Sequence, residues 1–118
     1  MDLKLYEIIN LEQAIDELIK YDLSFTFKVS LDIMRNKEAC KNITDLFFNR
    51  MSKIFDSYEK LYDASLRTEE ESIIFNEALN TTVDVHIKQL SVNDIVIEDN
   101  VKVKLVLFNN LKPMLIDY

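Results

Sequence analysis

The chain has 118 residues, 48% hydrophobic and 30% charged, with a formal net charge of −7 and no glycine. Without glycine there is no P-loop, no dinucleotide fingerprint and no nucleophile elbow, since each needs glycines at fixed offsets. The acidic balance opposes direct nucleic-acid binding, which draws its affinity from Lys and Arg at phosphates.

The same numbers suit one globular domain over 1–118, long enough for a core without staples. The longest apolar run, Leu105-Val106-Leu107-Phe108, falls far short of the roughly 20 residues of a membrane span. Met1-Asp2-Leu3-Lys4 lacks the basic start and apolar stretch of a signal peptide. A lone Cys40 cannot close an intrachain disulfide. Both features point to a cytoplasm, where the sequons at Asn42 and Asn80 are chance matches. Turns fall to the ten asparagines and to aspartate, the other residues that enter the left-handed region readily.

At the start of the chain, Leu3-Lys4-Leu5-Tyr6-Glu7-Ile8 alternates as a short strand does. Asn10 and Gln13 have the spacing of an N-cap and its N3 partner. Leu11, Ala14, Ile15 and Leu18 follow at helical spacing and predict a helix over 11–20. Residues 23–35 fit two templates. Phe25, Phe27, Val29 and Leu31 alternate like a strand, whereas Phe27, Leu31 and Met34 suit a helix capped by Ser24. The helix is preferred, because no turn signal separates this segment from the next. There, Ile43, Leu46, Phe47, Arg50, Met51, Ile54, Phe55, Tyr58, Leu61 and Tyr62 hold one face for five turns. So long an amphipathic helix must bury its stripe against another element or another chain.

Thr68 and Glu71 make a capping box, and Glu69, Glu70 and Glu71 suit the positive end of the helix dipole. Ile74, Phe75, Ala78 and Leu79 supply that helix's core face, and Asn80 offers a left-handed C-cap. Val83, Val85 and Ile87 alternate with Asp84, His86 and Lys88 as a half-buried strand does. Ile95-Val96-Ile97 is expected to pair beside it after a turn at 91–94. Residues 101–111 fit a hairpin partner across Glu98-Asp99-Asn100, and equally a helix capped by Asn100 and stopped before Pro113. The fold class is mixed α+β: a long central helix packed with two shorter helices and a small antiparallel sheet.

Asp84 and His86 share one strand face, so an acid–base or metal pair is open to them. The competing reading is a solvated polar face beside Lys88. No second histidine supplies further ligands, and Cys40 as a nucleophile would need the same His86. Glu12 with Asp16, Asp94 with Asp99, and the run Glu69–Glu71 are carboxylate groupings of the kind that bind Mg²⁺ or cleave glycosides. In so acidic a chain such pairs arise by chance. Asp16 has Lys20 one turn on, and the helix start explains the run. No catalytic, cofactor-binding or metal-ligating residue is assigned, and no cofactor is expected.

The aromatics concentrate in the two central segments, and a small core filled with Phe accounts for most of them. Phe48 falls off the stripe of Leu46, Phe47 and Met51. Phe25, Phe27, Phe48, Tyr58 and Tyr62 are the candidate partner-binding residues, a surplus of the kind found at interaction or self-association patches. Met114, Leu115, Ile116 and Tyr118 either dock on the core or meet a neighbour.

Asn10-Leu11 opening a helix, the Phe75-Asn76-Glu77-Ala78-Leu79 helix, and Val83, Val85 and Ile87 directly after it form a layout. It resembles a family of small phage and prophage proteins of unknown function, departing from it at the short Asp63-Ala64-Ser65-Leu66-Arg67 loop. A small, acidic, glycine-free, AT-rich-coded chain is also what many phage accessory genes encode. The resemblance implies a non-enzymatic role and carries over no functional residues. The expected function is to bind and occupy the surface of a host or phage protein, as an anti-defence inhibitor does, without membrane or direct nucleic-acid contact. Two rivals stay open. One is an assembly chaperone or minor virion component acting as a homo-oligomer; the other is a small hydrolase or metal-dependent enzyme around Asp84 and His86.

Overall fold

The helical repeat of the first segment begins earlier than Asn10 suggests. Leu5, Ile8, Leu11, Ile15 and Leu18 recur every three or four residues and are all buried. In the computed structural model, which describes residues 1–20, 25–95 and 105–116, strand β1 is only Asp2–Lys4 and helix α1 spans Leu5–Ile19. Over six residues an alternating pattern satisfies both periods; the longer stripe decides for helix. Lys4 stands extended at the helix start, its N–H donating to Glu7 Oε1 at 3.0 Å. Asn10 is therefore an interior residue of α1 rather than its cap.

Helix α2, Phe27–Phe55, opens on Thr26, whose hydroxyl accepts from the Val29 N–H at 3.3 Å. The helical reading of 27–35 holds, while Ser24 lies outside the described residues. The helix stops seven residues short of Tyr62. Asp56 takes φ 49° and ψ 34°, the one positive φ among the described residues. Aspartate tolerates this region better than most residues, but glycine has no Cβ to strain there at all, so Asp56→Gly is expected to stabilise the fold by about 0.5–1 kcal/mol. Urea denaturation checks this, and a loss of stability would mean that the Asp56 side chain does something the turn needs.

Beyond Asp56 come two single 3-10 turns, Glu59–Leu61 and Ala64–Leu66, and then helix α3, Glu69–Leu79. Its start forms as expected: the Thr68 hydroxyl accepts from the Glu71 N–H at 3.1 Å, and Glu71 Oε1 accepts from the Thr68 N–H at 2.9 Å. Lys60 Nζ donates to both Glu71 oxygens, at 2.9 and 3.0 Å. The Thr68 N–H first, and Lys60 after it, hold the Glu71 carboxyl below the ordinary glutamate range. Asn80 does not adopt the left-handed cap expected of it. At φ −94° and ψ 4° it closes the helix instead with its side-chain amide, which donates to the Asn76 carbonyl at 2.9 Å.

Strand β2, Thr82–Asp84, pairs antiparallel with β1 in the register Asp2 to Asp84, Leu3 to Val83 and Lys4 to Thr82. Its alternation continues beyond the ladder: Val83 and Ile87 are half-buried, Val85 is buried, and Asp84, His86 and Lys88 face solvent. The expected pairing of Ile95 beside this strand does not form. Ile95 is sealed at the end of the 3-10 turn Val92–Ile95, and Leu90 instead bridges Leu115 in parallel. Val96, Ile97, the 98–100 turn and 101–104 lie outside the described residues. Leu105–Leu111 is helical, as α4, and the 3-10 turn Lys112–Met114 with Pro113 follows it. Met114 and Leu115 dock on the core, Ile116 is exposed, and Tyr118 is not described.

Over the described residues the result is a mostly helical α+β fold with one two-stranded antiparallel sheet. Although α2 is the longest element, α1 packs against every other described helix. At about 1.5 Å per residue the 29 residues of α2 span roughly 44 Å, which sets the 46 Å long dimension of the molecule. One buried cluster joins Ile8, Leu11, Ile15 and Leu18 of α1 to Ile33 and Cys40 of α2 and to Leu107, Leu111 and Met114. A second joins Leu5 to Phe47, Met51, Phe55, Leu61 and Phe75, and Ile43 packs against both clusters.

Candidate protein-interaction surface

The end of α2 and the segment after it carry more aromatic surface than the second cluster encloses. Phe47, Phe55 and Phe75 are buried, with ring centroids 5.3 Å apart for Phe47–Phe75 and 6.1 Å for Phe55–Phe75. Phe48 meets Phe47 edge-on at 5.1 Å and stacks on Tyr62 at 5.8 Å with 19° between the planes. Tyr58 lies 5.2 Å from Tyr62, and its hydroxyl donates to that of Tyr62 at 3.4 Å. The two tyrosines remain 69% and 64% exposed. Each ring thus offers an apolar face and a polar edge to solvent, the combination favoured in protein interfaces.

Backbone anchors hold this display in place. The Arg67 guanidinium lies 3.8 Å over the Phe75 ring, its Nε donating to the Lys60 carbonyl and its Nη2 to the Leu61 carbonyl at 2.8 Å. One side chain therefore pins the turn between the two tyrosines onto the core. Asp63 Oδ1 accepts from the Ser65 hydroxyl at 2.6 Å and from its N–H at 3.0 Å, and the hydroxyl first, with the N–H after it, keeps the Asp63 carboxyl below the aspartate range. The Lys60–Glu71 pair ties the same turn to the start of α3. Surface that is already ordered loses less entropy on binding.

Of the five aromatics singled out, Phe48, Tyr58 and Tyr62 come together and two do not. Phe25 is half-buried against the first core cluster. Phe27 is 84% exposed, but it opens α2, roughly 30 Å along the helix axis from Phe48. Neither Arg67 nor its cation–π contact stood out in the sequence, because both depend on contacts between segments.

Several of the groups considered for catalysis have other partners. Asp84 Oδ1 accepts from the Met1 ammonium at 3.0 Å, which holds the Asp84 carboxyl low, and His86 stands exposed beyond it. Asp16 pairs with Lys37 of α2 at 2.7 Å rather than with Lys20, and raises the Lys37 ammonium above the usual lysine value. Glu12 accepts a short hydrogen bond from the Thr44 hydroxyl. The two acids therefore clasp α1 to α2. Asp99 lies outside the described residues, so its pairing with Asp94 has no structural description. Cys40 is fully buried, and burial first, with Glu12 second, pushes its thiol up to about 12. Among the described residues, no three His, Cys, Asp or Glu side chains stand where they could share a metal ion. No described helix is long and apolar enough to cross a membrane. Set against known proteins, the chain matches no family model, no curated protein and no solved structure.

Proposed function

We propose that this chain is a non-enzymatic, phage-type accessory protein that acts in a cytoplasm by binding and occupying the surface of a host or phage protein. The observation that carries the reading is the Phe48–Tyr62–Tyr58 cluster, whose turn Arg67 orders and whose two tyrosines are left largely in solvent. Tyrosines of this kind are common binding hot spots, each costing about 2 kcal/mol or more of affinity when truncated. Against an enzyme stands the sealing of the Cys40 thiol.

The test is affinity capture from the lysate of an infected or expressing host, wild type beside Tyr58→Ser/Tyr62→Ser. A protein retained by the wild type should be weakened about thirtyfold or more in the variant. Equal capture by both would remove the patch from the account.

A specific observation favours one second reading, the homo-oligomeric assembly protein. Phe27, Leu31 and Met34 are all exposed and recur at helical spacing on the opposite face of α2 from its buried residues. Light scattering separates the two readings: a salt-resistant multimer dispersed by Phe27→Ser/Met34→Ser belongs to the second, a monomer to the first.

A further inference from the structure

We infer that the groove between α2 and residues 86–88 binds an acidic, aliphatic peptide segment of a protein partner. The inference rests on the protein-binding reading but uses a face other than the tyrosine stack. The groove encloses about 610 Å³, and Lys28, Arg35, His86 and Lys88 line it together with the apolar Leu31 and Ile87. On α2, Lys28, Leu31 and Arg35 recur at three- and four-residue spacing, which brings them to one side of the helix.

Charge is the first argument. The protein carries −7 overall, yet three permanent cations converge here and the only carboxylate in the lining is the buried Asp32. Three lysines elsewhere are paired, Lys37 with Asp16, Lys41 with Asp45 and Lys60 with Glu71, while Lys4, Lys20, Lys53 and Lys112 stand apart from one another along the chain. Lys28, Arg35 and Lys88 make no ion pair with any described residue, so an incoming carboxylate meets cations that need not first give up a partner. Order is the second. The buried Asn36 amide donates to the Lys88 carbonyl at 2.8 Å, and its oxygen accepts from the Lys88 N–H at 2.7 Å. One side chain thus fixes the distance between the two walls in the absence of any ligand.

A peptide fits better than a nucleic acid. Leu31 and Ile87 give the lining an apolar part to cover, which a phosphate backbone does not use. DNA also carries about one negative charge per 1.7 Å of axis, and beyond this groove the acidic surface would repel it. A short segment confines its charge to the groove.

Fluorescence anisotropy on the full chain tests this with a labelled peptide alternating glutamate and leucine, beside a lysine–leucine peptide and a single-stranded DNA oligonucleotide. The glutamate–leucine peptide alone should bind, more weakly as salt rises. Arg35→Glu/Lys88→Glu should weaken it about tenfold or more, and Lys28→Glu should weaken it as well. These side chains are exposed, and circular dichroism verifies that each variant folds. Tyr58→Ser/Tyr62→Ser should leave peptide binding unchanged, so failure here and failure of the tyrosine surface are separate results. The inference is overturned by no peptide binding, by binding indifferent to both groove variants, or by DNA binding at least as tight. It is equally overturned by a dimer that Arg35→Glu/Lys88→Glu abolishes, which would give the groove to a second copy of the chain.

Discussion

Leu11→Ala is expected to cost about 3 kcal/mol or more of folding stability, a large part of the roughly 5–15 kcal/mol that holds a domain together. Leu11 is fully buried near the middle of α1, among the side chains that join this helix to α2 and α4. Truncation removes several methyl and methylene groups from an apolar setting. It also leaves a cavity that packed helices on several sides cannot collapse to fill. Urea unfolding measures the loss. Leu46→Ala on the 63% exposed side of α2 is the matched control, expected to stay within about 0.5 kcal/mol of wild type. Equal effects at the two positions would mean that α1 is not the element around which the fold is built.

Asn36→Leu is expected to cost about 2–3 kcal/mol despite the gain in apolar volume. The change is nearly isosteric, so the loss comes from hydrogen bonding rather than from a void. Asn36 is 1% exposed, and its amide serves Lys88 as a neighbouring strand would, one bond in each direction. With leucine there, the Lys88 N–H and C=O face an apolar side chain, and two polar groups lose their partners together. The same variant should release the Lys88 amide to hydrogen exchange well before the amides of α1. A loss under about 0.5 kcal/mol would show that water already satisfies the Lys88 backbone.

What could be read from the sequence was local chemistry repeated over enough residues. The Thr68–Glu71 box has a fixed spacing and an unambiguous partner, and both of its hydrogen bonds form. Leu11, Ala14, Ile15 and Leu18 are buried as their spacing predicts. Val83, Val85 and Ile87 keep their inward alternation although the ladder itself ends at Asp84.

Failures came where two patterns coincide or where the deciding contact is distant. Residues 3–8 satisfy strand and helix alike, and what turns Leu5 onward into helix is the buried stripe it shares with Ile8 and Leu11. Tyr58 and Tyr62 extend the α2 period in phase, so nothing in the repeat marks the break at Asp56. Only the left-handed backbone there does. Asn36 and Arg67 looked like ordinary polar residues on long helical and loop stretches. Their work is done on Lys88, fifty-two residues away, and on the turn carrying the tyrosines. Of the candidate site, the aromatic surplus was legible and its grouping was not, because Phe25 and Phe27 differ from Phe48 only in what the fold places over them.

If Tyr58 and Tyr62 are contact surface beyond what folding requires, urea unfolding of Tyr58→Ser/Tyr62→Ser will register little change. The expected loss is no more than about 1 kcal/mol, the worth of an exposed aromatic contact. A loss of about 3 kcal/mol, on the scale expected for Leu11→Ala, would place the pair in the core and contradict it.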